Sequence, residues 1–127
     1  MKITLKQLDQ GFKSLSLLAE TAFEKDKHKI CYKISRIYGS AKRELEEMHL
    51  SLADLAAKHG LTPGVDPRFQ DPEKVGQYQL SERLFLRDTW VEVWGDPFHY
   101  SEIADFITTP MGLANLDWMI VGGPEGS

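Results

Sequence analysis

Residues 26–60 read DKHKICYKISRIYGSAKRELEEMHLSLADLAAKHG, with no proline among them. Ile30, Ile34, Ile37, Ala41, Leu45, Met48, Leu52, Leu55 and His59 follow one another at steps of three and four. Eight steps cover 29 residues, about 3.6 per step, the period of a nearly straight α-helix rather than of a supercoil. A helix of this span is about 50 Å long, several times the usual length. It cannot bury its stripe alone and needs a partner helix, from this chain or another. Lys58 and His59 suit the negative end of its dipole, Gly60 suits a left-handed position just past it, and Pro63 bars resumption. Midway, the small residues Gly39, Ser40 and Ala41 either admit another helix closely or mark a bend.

Upstream, Thr4 and Gln7 have capping-box spacing. Leu5, Leu8, Phe12, Leu15, Ala19 and Ala22 then recur at helical intervals. Gly11 interrupts this helix and weakens it by about 1 kcal/mol relative to alanine. The polar run Glu24 to His28 is a tight connection, with Asp26 as N-cap of the second helix. Two helices so joined pack antiparallel. The first helix is too short to cover the Leu45 to Leu55 half of the second.

Downstream, LTPGVDPRFQDP (residues 61–72) is a loop. Asp71 and Pro72 head a helix through about Arg87. Thr89 to Trp94 alternates like a short strand, Gly95-Asp96-Pro97 is a turn, and Phe98 to Tyr100 is a second extended piece. Thr109-Pro110 opens a last helix ending near Ile120, and GGPEGS frays. The expected fold is mainly α with a small β element: an antiparallel hairpin with one very long helix, a short helix, a short strand or hairpin and a short C-terminal helix. Residues 1–60 form the hairpin, and 61–127 a smaller α+β segment packed on it as one folding unit.

A chain of 127 residues, 42% hydrophobic and 27% charged, has the composition of one globular domain. No apolar run is long enough to span a bilayer, and MKITLKQLDQ is not a signal peptide. The single Cys31 excludes an internal disulfide framework. Residues 1–60 hold 11 Lys and Arg against 8 Asp and Glu, a net of +3, and residues 61–127 hold 4 against 11, a net of −7. Such halves can attract each other within a subunit or between copies, although ordinary surface charge that happens to sort this way is the favoured reading.

Glu46 and His49 have the Glu-x-x-His spacing of di-iron bundles, but such sites need a second copy and further glutamates. The core stripe also leaves both residues outside, so a solvated face is the reading. His28 and Cys31, one turn apart, lack further residues of ligand spacing. Lys29, Lys33, Arg36 and Arg43 make a basic stripe that suits solvent or an acidic protein partner better than nucleic acid, given the acidic chain. Phosphate loops, nucleophile elbows and dinucleotide fingerprints are missing from the sequence. The expectation is a non-enzymatic protein with no cofactor and no metal.

Trp90, Trp94, Phe98, Tyr100, Phe106 and Trp118 gather aromatics in the acidic half. If Val91 and Val93 face the core, Trp90 and Trp94 face outward, where tryptophan makes interface hot spots. The candidate partner-binding residues are therefore Leu45, Met48, Leu52 and Leu55 on the long helix, with Trp90, Trp94, Phe98 and Tyr100.

Lys2-Ile3-Thr4-Leu5, Tyr32-Lys33-Ile34-Ser35-Arg36, the Glu44 to Leu55 helix and the stop at His59-Gly60 together resemble a group of small bacteriophage-encoded helical proteins of unassigned role. Thr89 to Val93 is similar to that group's valine/glutamate strand, and Leu113 to Ile120 to its closing helix. The chain departs from the group between Leu61 and Gln79 and in its tryptophans. The resemblance implies a phage origin, a place among virion or assembly genes, and localisation in the virion or host cytoplasm. It assigns no site residues. The expected function is a structural or assembly protein that self-associates and binds a larger head, connector or tail protein. The alternative is a phage-encoded inhibitor of a host protein.

Overall fold

The computed structural model describes residues 1–25, 27–62, 64–107 and 109–121. Its architecture is mainly helical with a few short strands.

The chain opens on strand β1 (Lys2–Thr4) and turns directly into helix α1 (Leu5–Glu24). Thr4 is both the last strand residue and the N-cap. Its Oγ1 accepts from Gln7 N–H (3.2 Å), and its own N–H donates to Gln7 Oε1 (2.9 Å), closing the expected capping box. The buried face of α1 is Leu5, Leu8, Gly11, Leu15, Leu18 and Ala22. Leu18 thus takes the place the sequence reading gave to Ala19, and Phe12 and Ala19 are only half-buried.

Helix α2 (His28–Lys58) runs unbroken for 31 residues. It folds back along α1, so that Phe12 stacks on Tyr38 with ring centroids 5.3 Å apart. Lys27 precedes it without a side-chain cap, and the Asp26 assigned that role lies outside the described residues. At the far end Gly60 has φ +77°. Gly60 N–H donates to Ala57 O and Leu61 N–H to Ala56 O, a Schellman closure. Pro63 lies outside the described residues.

The rear of α2 finds its cover inside the chain. Helix α3 (Pro72–Asp88) is capped by Asp71, whose carboxylate accepts from Glu73 N–H. It packs on both α1 and α2. Phe85 and Leu86 of α3, like Leu45 and Leu52 of α2, pack half-buried against the common core. His59 Nε2 lies 3.0 Å from Ser81 Oγ, and its ring meets that of Tyr78 edge-on. Between α2 and α3, Pro67–Phe69 forms a 3-10 turn capped by Asp66.

Strand β2 (Trp90–Glu92) pairs antiparallel with β1, in the register Lys2 with Glu92, Ile3 with Val91 and Thr4 with Trp90. Strand β3 (Phe98–His99) pairs parallel with β4 (Ile120–Val121). The hairpin option for residues 89–100 is therefore incorrect. Gly95, at φ +132°, turns the chain along α2 instead of back on β2, and each strand finds its partner from a chain end. Helix α4 (Tyr100–Ile103) follows β3. Helix α5 (Pro110–Asn115) is capped by Thr109 as expected. It stops well before Ile120, because Asp117–Met119 tightens into a 3-10 turn that aims Ile120 into the ladder with β3. GGPEGS lies outside the described residues.

Two glycines answer to contact. A Cβ on Gly11 would stand 2.6 Å from Asn115 O and 2.9 Å from Trp118 Nε1, so this glycine lets the end of α5 lie on α1. A Cβ on Gly95 would meet Ile37 Cγ1 at 2.5 Å. The core joins both parts of the chain: Leu8, Leu15, Ile34 and Ile37 pack with Val93, Phe98, Ile103, Leu116 and Met119. Each such side chain contributes about 1.5–3 kcal/mol by leaving water.

Candidate interaction surface

The alternation of β2 continues through Trp94. Val93 is fully buried and Val91 half-buried, while Trp90, Glu92 and Trp94 face out. Trp90 keeps 56% of its surface exposed and Trp94 69%. Both are held on rigid backbone. Val93 N–H donates to Met1 O, and the Met1 nitrogen donates back to Val93 O, each at 2.8 Å. Leu5 N–H donates to Thr89 O at 2.9 Å. These bonds direct the backbone groups of residues 89, 91 and 93 toward β1, so those of Trp90 and Glu92 lie on the opposite edge.

Trp94 N–H donates to the buried Ser40 Oγ at 2.8 Å. The small residues of α2 thus serve close approach, as expected, but of an extended segment and not of a helix. Ser40 and Ala41 are buried under it, whereas Gly39 is exposed with open space above its Cα. Beyond Gly95 the segment continues to Asp96, which borders a groove with His28, Lys29, Tyr32, Lys33 and Arg36. Tyr32 is exposed there.

The basic stripe divides. Lys33 is engaged within the chain: Nζ lies 4.5 Å from the centre of the Phe98 ring and 3.5 Å from Glu102 Oε1. That carboxylate also accepts His99 N–H at 2.9 Å. The His99 amide first, and Lys33 after it, hold the Glu102 carboxyl below its ordinary range. Lys29, Arg36 and Arg43 are exposed.

Of the eight candidate residues, only the two tryptophans stand at the surface. Met48 and Phe98 belong to the core and are corrected to structural residues, since a partner could touch them only by opening the fold. Leu45 and Leu52 pack half-buried against that core, and Leu55 and Tyr100 are also half-buried. Exposed apolar residues that the sequence reading left unassigned include Leu17, Phe23, Leu50, Phe69, Leu80 and Met111. Phe23 follows the last buried residue of α1, Ala22, and falls one position off the stripe, which is a signal of outward direction.

Glu46 and His49 are exposed. Among the described residues no three His, Cys, Asp or Glu side chains are placed to hold a metal, and Cys31 is half-buried with a free thiol. No described helix is long and apolar enough to cross a membrane. Among the described residues the one large pKa displacement is Tyr78, pushed up to about 12 by burial first and then by its hydrogen bond to Glu82 (2.8 Å). It sits where α3 faces His59, the C-cap of α2.

Comparison with family models, curated proteins and solved structures finds no match. The surface itself carries the functional argument.

Proposed function

We propose that this chain is a non-enzymatic bacteriophage structural or assembly protein that self-associates and docks on a larger particle protein through Trp90 and Trp94. The carrying observation is the pair of tryptophans held out on a strand whose inner valine is fully buried. Burial of Val93 fixes the outward direction of its neighbours, and the Ser40 bond fixes the backbone beneath Trp94. Tryptophan offers a large contact area with few side-chain torsions to fix on binding, which favours affinity. The phage assignment rests on the resemblance of residues 2–5, 32–36, 44–55 and 59–60 to phage-encoded proteins.

The test is mass spectrometry of purified particles together with capture from infected-cell lysate, using the wild type and a Trp90→Ser/Trp94→Ser variant. The expected result is the chain in particles, and a particle protein captured by the wild type alone. Capture of a stoichiometric host protein, with the chain absent from particles, would replace this reading by the host-inhibitor one.

A further inference from the structure

The two-stranded sheet of β1 and β2 has two outer edges, and they are not alike. On β1 the residues turned away from β2 are Lys2 and Thr4. Thr4 N–H is spent on Gln7 Oε1, the chain enters α1 at the next residue, and Lys2 sets an exposed charge on what remains. That edge is guarded. On β2 the residues turned away are Trp90 and Glu92, with Trp94 beyond them. Trp94 N–H is held by Ser40 Oγ. Among the described residues nothing bonds to the backbone N–H or C=O of Trp90 or Glu92. Neither proline nor lysine stands on this edge. Its one charge, Glu92, is matched inside the chain by Lys2 opposite and by the Met1 nitrogen at 3.0 Å. An edge in this state is a template for another strand.

We propose that the strand it takes is β2 of a second copy, antiparallel about a two-fold axis at Val91, so that the two sheets join in the order β1, β2, β2, β1. This rests on the self-association half of the proposed function and names its surface. Backbone and charge together choose the register. With Val91 on the axis, Trp90 lies opposite the other copy's Glu92, and Glu92 opposite its Trp90. Both are hydrogen-bonded pairs of two bonds each, so the open N–H and C=O groups of both edges are all used. The half-buried Val91 meets the other copy's Val91 at the position between, where side chains approach most closely. Each Glu92 stays beside its own Lys2.

The neighbouring registers fail. An axis at Trp90 puts Glu92 opposite Asp88, which is acidic and still in α3. An axis at Glu92 sets the two carboxylates face to face and calls on the Trp94 N–H that Ser40 already holds. The axis at Val91 stands perpendicular to the sheet, so the tryptophans of both copies share one face. That face is the one given to the particle protein.

The experiment is sedimentation equilibrium on the full chain up to its solubility limit, with circular dichroism and urea denaturation of every variant. The wild type is expected to form a weak dimer, since so short a pairing is a small interface. Glu92→Pro removes an open N–H and sets a ring against the incoming strand, and no bond to β1 uses that N–H. It keeps the monomer fold, and its dimer dissociates at least about tenfold more readily. Glu92→Gln keeps the N–H and dimerises like the wild type to within about threefold, which separates the edge from the lost Met1 contact. Cys31→Ser/Val91→Cys reads the register without relying on proline. With the axis at residue 91 the introduced thiols stand opposite each other, and mild oxidation links the two copies. In either neighbouring register they are too far apart to join.

A wild type that stays monomeric at its solubility limit, as it would if a strand of another protein takes the edge, overturns the inference. So does a dimer indifferent to Glu92→Pro, or a dimer whose introduced thiols fail to join. The tryptophan surface is tested apart from this. Trp90→Ser/Trp94→Ser keeps the backbone edge and the dimer and loses the particle protein, whereas Glu92→Pro loses the dimer and still captures the particle protein.

Discussion

Ser40, buried midway along α2, accepts the N–H of Trp94 at 2.8 Å, and this bond joins the long helix to the segment that presents the tryptophans. A serine inside a helix usually bonds back to its own turn. Here the hydroxyl reaches across 54 residues of sequence to satisfy a partly buried amide. Ser40→Ala leaves that amide without its partner, at a cost of about 1–2 kcal/mol. Urea denaturation should show that loss, and tryptophan emission should shift as the backbone under Trp94 loosens. An unchanged midpoint and spectrum would remove Ser40 from the account.

Gly11 sets helix propensity against packing. An alanine at an exposed mid-helix glycine stabilises by about 1 kcal/mol. At Gly11 its Cβ would press on Asn115 O at 2.6 Å, and that oxygen already accepts Trp118 Nε1–H at 3.0 Å. Backbone cannot rotate away as a side-chain end can, so α5 must shift off α1. Gly11→Ala is therefore expected to destabilise by about 1–3 kcal/mol, the opposite sign to the propensity argument. Gly39→Ala is the control, because nothing lies within 4 Å of its added methyl. It should raise the melting temperature.

The aromatic residues of the acidic half divide by depth. Phe98→Ala opens the core and costs about 3–5 kcal/mol. Trp90→Ser and Trp94→Ser each change stability by less than about 1 kcal/mol, since most of each ring is already in water. Thermal melts of the three variants separate the classes. A tryptophan variant that unfolds as readily as Phe98→Ala would show that the ring supports the fold.

The sequence made the long helix, its C-terminal end and the caps at Thr4, Asp71 and Thr109 legible, because each depends on residues within one or two turns. Depth was legible along β2 as well, where Val93 and Trp94 alternate in and out. What escaped depends on distant pairing. Lys2-Ile3-Thr4 is a strand only because Glu92, Val91 and Trp90 lie opposite. Ile120 and Val121 leave the last helix because β3 offers them a ladder. Met48 and Phe98 were given to a partner for the same reason: the sequence does not show that distant parts of the chain bury them. Phe98 lies directly beneath the Lys33 ammonium. Gly11 read as a defect, although its lack of a side chain is what admits Asn115 and Trp118.

Tyr78 links α3 to the rear of α2 and gives the fold an alkaline limit. Burial, aided by the Glu82 carboxylate, raises its phenol from about 10 to about 12. The folded state therefore holds this proton more tightly than the unfolded chain does. Stability from this source is fully present below pH about 10 and is lost as pH rises through about 12. Between those values the unfolded state binds fewer protons, and the free energy of unfolding falls with pH. Phenolate absorbance should show one of the four tyrosines titrating last. Tyr78→Phe should remove that late step and flatten the pH dependence above 10, compared with wild type in the same buffers. It should also cost about 1 kcal/mol at neutral pH for the lost bond to Glu82. If the late phenolate persists in Tyr78→Phe, the protected proton belongs to another tyrosine and the α2–α3 contact is not its cause.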